Sequence, residues 1–206
     1  MISPRIEPGR PDVARDAARL ICTTDVALYR LLSAGRPDVA EDFVAGQWRR
    51  DGCLFSHRFA LVARGAAGVC GVVLSYTAEQ HNSLPQSHEP WPAPPGEEPE
   101  VRRRALAMRE FLFPTVPAGA LYVQNLAVAE AARGAGLGRA LLEEAVAAGR
   151  RAGCNSCHLD VAADNHAAVA LYLRAGLEVL VETRVPPLIE LAGIPAHLRF
   201  VRPIRP

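Results

Sequence analysis

The segment Arg133-Gly134-Ala135-Gly136-Leu137-Gly138-Arg139 sets glycine at every second position between two patterned runs. Residues 121–128, Leu-Tyr-Val-Gln-Asn-Leu-Ala-Val, read as a strand. Residues 138–151 read as a helix with Leu141, Leu142, Ala145 and Val146 on its buried side. Glycine accepts positive φ and lets a ligand come close to the backbone. A helix opening there offers unpaired N–H groups and the positive end of its dipole, a setting for an anion and most simply a phosphate. Arg133 and Arg139 add charge-assisted donors. The plainer alternative is a turn that only joins strand to helix.

The pattern continues downstream as a β-α-β-α-β run without repeats. Residues 158–161 form a strand and residues 165–175 a helix stopped by Gly176. Residues 177–185 form a further strand, and residues 198–201 another. Upstream, residues 12–33 carry helical patterns broken near Thr23, Thr24 and Asp25, with Gly35 as a stop. A second helix spans 37–50 with Val39, Phe43, Val44 and Trp48 inward. The runs 59–63 and 69–76, joined by a glycine-rich turn, predict a hairpin. Residues 78–118 differ in kind: eight of the 17 prolines fall here, with His81, His88, Glu97, Glu98 and Glu100, and a helix over 101–113. A stretch this long is either a functional lid or a solvated insertion. The expectation is one domain over residues 1–206 with a Pro-rich insertion at about 78–118.

Composition removes several functions. All 23 basic residues are arginine, so a lysine phosphate loop and Schiff-base catalysis are excluded. Those 23 against 22 acidic residues supply no global drive toward nucleic acid or membrane. No run approaches the roughly 18 to 20 apolar residues that span a bilayer. The first residues lack the apolar core of a signal peptide, and five cysteines in a chain of this size need no disulfide framework, so a cytoplasmic location is expected. Cys154 and Cys157 lack the second pair that a zinc site wants, and they precede a strand rather than open a helix. They read as small buried thiols, and no metal is expected.

Two phosphate-binding architectures compete for the glycine segment. A dinucleotide fold wants Gly-x-Gly-x-x-Gly directly after a strand. Counted from Gly134 the sixth position is Arg139, and counted from Gly136 it is Leu141, so the fingerprint fails in both registers. The other match is Arg/Gln-x-x-Gly-x-Gly/Ala, satisfied by Arg133, Gly136 and Gly138. With Leu126-Ala127-Val128 before it, and Asp164-Asn165, Ala168, Leu171-Tyr172 and Gly176-Leu177 after it, the chain resembles the GNAT superfamily of N-acetyltransferases.

That resemblance implies an α/β (α+β) fold. Its central sheet is mixed and mainly antiparallel, flanked by helices, and splays open between strand 121–128 and the strand at 158–161. Acetyl-CoA would be the co-substrate. Its pyrophosphate would lie on the amides of Arg133, Gly134, Ala135, Gly136, Leu137, Gly138 and Arg139, and its pantetheine arm against Leu126, Ala127 and Val128. Asn165 and Tyr172, at i and i+7, share a helix face and lie about 10 Å apart along it. Asn165 would bond the pantetheine amides. Tyr172 would protonate the departing thiolate as general acid. Many relatives carry a glutamate on the strand before the motif. Here that strand has only Tyr122, Gln124 and Asn125 as polar groups, which leaves Asp160, Glu79 and His81 as candidate bases. The acceptor would be an amine, a small molecule ahead of a protein N-terminus or lysine. A non-catalytic acyl-CoA-binding protein on the same fold is the alternative, and exposed strand edges would permit a homodimer.

Overall fold

The computed structural model describes residues 4–84, 91–92, 99–108, 111 and 115–205. Strands β1 (Arg5–Pro8), β2 (Ala60–Gly65), β3 (Gly68–Thr77), β4 (Ala120–Val128), β5 (Ser156–Ala162), β6 (Glu178–Thr183) and β7 (His197–Pro203) form one sheet in the order β1-β2-β3-β4-β5-β7-β6. All neighbours are antiparallel except β4 and β5. The helices are α1 (Ala14–Ile21), α2 (Val26–Leu32), α3 (Pro37–Trp48), α4 (Ala78–Ser83), α5 (Glu100–Met108), α6 (Leu137–Arg151), α7 (His166–Arg174) and α8 (Pro186–Ala192).

The break between the first two helices has a local cause. Thr23 and Thr24 turn their hydroxyls back onto the carbonyls of Leu20 and Ile21. Asp25 then caps α2 by accepting from the Leu28 amide at 3.0 Å. Three elements go beyond the sequence reading. β1 is a short edge strand carrying Arg5 and Glu7. α4 is opened by a Thr77–Gln80 capping box, and α8 by Pro186 at its start. The helix expected over 101–113 is described as α5; Phe113, like Glu97, Glu98 and His88, lies outside the described residues.

The two sheet faces are covered differently. α6 and α7 pack on one face, where Leu121, Val123, Leu159 and Phe200 meet Leu141, Leu142, Ala145 and Val146. α1, α2 and α3 pack on the other, around Val62, Val72, Leu74, Ala127 and the fully buried Trp48, whose indole N–H donates to the Arg10 carbonyl at 2.8 Å. Described parts of the 78–118 region join this second layer. Trp91 lies against Phe43 and Tyr29, and buried Arg102 donates to the Leu31 and Leu32 carbonyls at the end of α2. Among the described residues no helix is long and apolar enough to cross a membrane.

One departure from regularity shapes the rest of the molecule. β4 stays paired with β3 from Leu121 through Val128, with a bulge that leaves Gln124 unmatched. β5 pairs with β4 only at Ala120, Leu121, Tyr122 and Val123. A bulge bends and twists its strand, and past this one β4 leaves β5. The sheet therefore opens at the splay expected from the sequence.

Candidate active site

The loop between β4 and α6 is built by glycine for two separate reasons. Gly134 and Gly136 sit at φ +80° and +79° with open space where a Cβ would stand, so backbone conformation demands them. Gly138 has ordinary φ, but a Cβ there would meet Leu171 Cδ2 at 3.3 Å and Val128 Cγ2 at 3.6 Å, so close packing demands it. No side chain caps α6. Among the described residues the amides of Gly134, Ala135, Gly136, Leu137, Gly138 and Arg139 have no acceptor, and the first bond back to the loop runs from Ala140 to Gly136. These N–H groups head a 15-residue helix with its positive dipole end behind them. Arg133 turns Nε onto the Val128 carbonyl at 3.1 Å, closing the turn, while Arg139 is exposed beside it.

The opening between β4 and β5 continues from this loop. Leu126 and Val128 line it from β4, together with Ala168, Val169 and Leu171 on or near α7, all partly buried. Ala127 points to the other face and is buried. Past Val123 the β5-facing edge of β4 has no strand partner. Asn165 caps α7, its Oδ1 accepting from the Ala168 amide at 3.2 Å. Its Nδ2 is uncommitted among the described residues. Tyr172 lies two turns on, 6% exposed and 5.7 Å from the Phe200 ring. Its hydroxyl has no hydrogen-bond partner there. Burial, with Cys157 adding to it, pushes the phenol well above its ordinary pKa, so it stays protonated.

The opposite face of the opening carries a polar cluster that the sequence reading only partly anticipated. Asp160 takes Arg199 on both oxygens, with Nε at 2.9 Å, and also accepts from the Tyr122 hydroxyl at 2.8 Å; its side chain is 2% exposed. Asp160, a candidate base in the sequence, anchors a clamp. Three hydrogen bonds fall on its two oxygens, two of them from the bidentate guanidinium. The guanidinium also donates to the Thr115 carbonyl at 3.0 Å. His158 stands beside Tyr122 in register. It is buried, its Nδ1 has no partner among the described residues, and burial followed by the Arg199 charge lowers its pKa, which keeps the ring neutral. Of the other two candidate bases, His81 stacks on Tyr76, which packs tilted against Tyr122, while Glu79 is exposed on the first turn of α4.

Asn125 completes the cluster. Strand alternation alone would place it opposite Tyr122, but the Gln124 bulge brings both to one face. There Asn125 Nδ2 donates to Thr24 Oγ1 at 2.8 Å and Tyr29 Oη at 3.3 Å. The roles of Arg199 and Asn125 depend on register and long-range contact, which no local sequence signal announces. Among the described residues no three His, Cys, Asp or Glu side chains converge as a metal site requires. Cys154 and Cys157 are buried free thiols, and burial pushes the Cys157 thiol up to about 12.

Residues 87–177 match the acetyltransferase (GNAT) family model. Among solved structures, the chain is similar to a protein described as an acetyltransferase, at 18% identity and TM-score 0.67, covering 98% of this chain and 100% of the other. It is similar to an N-acetyltransferase from Staphylococcus aureus Mu50 at 18% identity and TM-score 0.66, with 96% and 100% covered. It is also similar to the NatC complex bound to Gag peptide and CoA, at 13% identity and TM-score 0.52, with 99% and 100% covered. No curated protein matches it in sequence.

Proposed function

We propose, from the match of residues 87–177 to the acetyltransferase (GNAT) family model, that the chain is an acyltransferase that moves an acetyl group from acetyl-CoA to a primary amine by direct attack. The observation that carries this reading is the run of unpaired amides at residues 134–139, heading α6 beside the point where β4 leaves β5. Free N–H groups at a helix start suit a pyrophosphate, and an unpartnered strand edge suits an extended amide-bearing chain.

The residues divide the chemistry as follows. The loop amides, with Arg133 and Arg139 beside them, hold the phosphates. The open edge of β4 around Leu126, Ala127 and Val128, with Asn165 Nδ2, holds the pantetheine amides and polarises the thioester carbonyl. Positioning and carbonyl polarisation supply most of the rate gain. The neutral amine attacks the carbonyl carbon, forming the N–C bond as the C–S bond breaks. Tyr172, held as a neutral phenol, gives its proton to the leaving sulfur. The amine's proton we assign to His158, the neutral group on the acceptor face with an uncommitted ring nitrogen; Asp160 and Arg199 orient Tyr122 beside it.

The acceptor enters from the face of α1, α2 and the described parts of the 78–118 region, and a small amine is the substrate we favour over a protein N-terminus or lysine. Calorimetry with acetyl-CoA, and NADH as control, tests the premise. Micromolar binding of acetyl-CoA alone supports it, and a preference for NADH ends it. A panel of polyamines, amino sugars and N-terminal peptides then ranks the acceptors. Tight cofactor binding with no turnover across the panel would favour a non-catalytic acyl-CoA-binding protein.

A further inference from the structure

Two consecutive residues reach across the opening of the sheet. Thr24 accepts from Asn125 on the diverging part of β4, and Asp25 Oδ2 lies 2.9 Å from His197 Nε2 on β7. β5 lies between β4 and β7 in the sheet, and it stays paired with β7 from Ser156 to Ala162. The α1–α2 connection therefore spans β5 and ties one lip of the opening to the other, on the face away from α6 and α7. The second oxygen of Asp25 is held by the Leu28 amide, so the same carboxylate starts α2 and anchors the tie.

The ring of His197 specifies its own charge. Nε2 faces a carboxylate, and Nδ1 faces the Pro195 carbonyl at 3.1 Å. Both partners only accept, so both ring nitrogens must donate, which only an imidazolium does. Its side chain is 3% exposed. Among the described residues, the charged groups facing it include Asp25 at the head of α2 and Asp160 on β5, the latter clamped by Arg199 two residues along β7.

We infer that His197 is a positioning residue for the acceptor side: as an imidazolium it fixes the α1–α2 connection across the opening and so sets the gap through which the amine reaches the thioester. The acceptor role rests on the acetyltransferase reading; the imidazolium does not. Burial opposes the charge, but the Asp25 hydrogen bond and charge outweigh it and hold the titration above the ordinary histidine value. The tie is then fully present below the ordinary histidine value and is lost as pH rises through the raised one.

The ring nitrogens are read directly by 15N NMR of the intact protein. Two protonated nitrogens on His197 at pH 7 are expected, and a neutral ring overturns the inference whatever the enzyme does. Asp25→Asn keeps the helix cap, because Asn caps as well as Asp, but removes the charge. It should move the His197 titration to lower pH, and with it the alkaline rise in KM for the fastest amine of the panel. His197→Gln should raise that KM about tenfold, the scale of one charge-assisted hydrogen bond, and abolish its alkaline rise while acetyl-CoA affinity stays constant. Its melting temperature should fall below that of the parent at pH 7, with the difference closing as pH climbs. Identical KM profiles for the parent and Asp25→Asn would overturn the positioning role. Failure of the parent to bind acetyl-CoA would remove the acceptor role together with the acetyltransferase reading.

Discussion

Gly136 shows how much one residue can decide. Its φ of +79° begins α6 and turns successive amides outward, while nothing crowds its missing side chain. Gly136→Val therefore meets conformational strain and not a clash, at about 1–2 kcal/mol for an L residue in that region. The strain is relieved by rotating the amides away. Calorimetric affinity for acetyl-CoA should drop at least tenfold with the fold retained on circular dichroism; unchanged affinity would remove the loop from the site. Tyr172→Phe keeps the packing against Phe200 and removes only the hydroxyl. Turnover should fall about 10²- to 10⁴-fold, the usual worth of a positioned general acid, with acetyl-CoA binding unchanged. His158 makes a pH prediction. Its lowered pKa leaves it neutral and ready to accept a proton, and activity is lost as pH falls through that value, below the ordinary histidine range. His158→Gln should erase this acid limb of kcat/KM, whereas a limb that survives substitution belongs to another group.

Among the elements, β4 and α5 carry the clearest consequences. The Gln124 bulge turns β4 away from β5 and rotates Asn125 onto the face of Tyr122, so one extra residue creates both the opening and its polar wall. α5 is held to the body by Arg102, whose guanidinium satisfies the last carbonyls of α2 from a buried position. Arg102→Ala leaves those carbonyls without their charged donor, and chemical denaturation should show a loss of about 1.5–3 kcal/mol. A loss within error would mean that water replaces the guanidinium and that α5 is only loosely attached.

For the whole molecule, the sheet acts as a partition. α6 and α7 with the glycine loop occupy one side, while α1, α2, α3 and described parts of the 78–118 region occupy the other. On the proposed reading, cofactor and acceptor approach through different layers and meet where β4 and β5 part. A ligand held by the folded loop alone must stabilise the fold. At a hundred times its dissociation constant, acetyl-CoA should add about 2.7 kcal/mol, seen as a rise in melting temperature that NADH does not produce. An equal shift with both ligands would contradict the cradle.

Much of this was legible in the chain itself because it depends on local patterns. Alternate glycines before an apolar helix mark the loop whose amides are unpaired among the described residues. Leu141, Leu142, Ala145 and Val146 mark the buried face of α6, and Asn165 and Tyr172 recur on one face of α7 because helical spacing requires it. The tertiary structure decided what depends on register and distance. Asp160, a candidate base in sequence, is bonded to Arg199, 39 residues away, and to Tyr122, 38 residues away. Asn125 changed faces through a bulge that its neighbours do not signal, and His197 gained its charge from Asp25, 172 residues away. Hydrophobic period and turn chemistry act over a few residues and can be read in order. Which polar groups meet across strands is set only when the whole sheet closes.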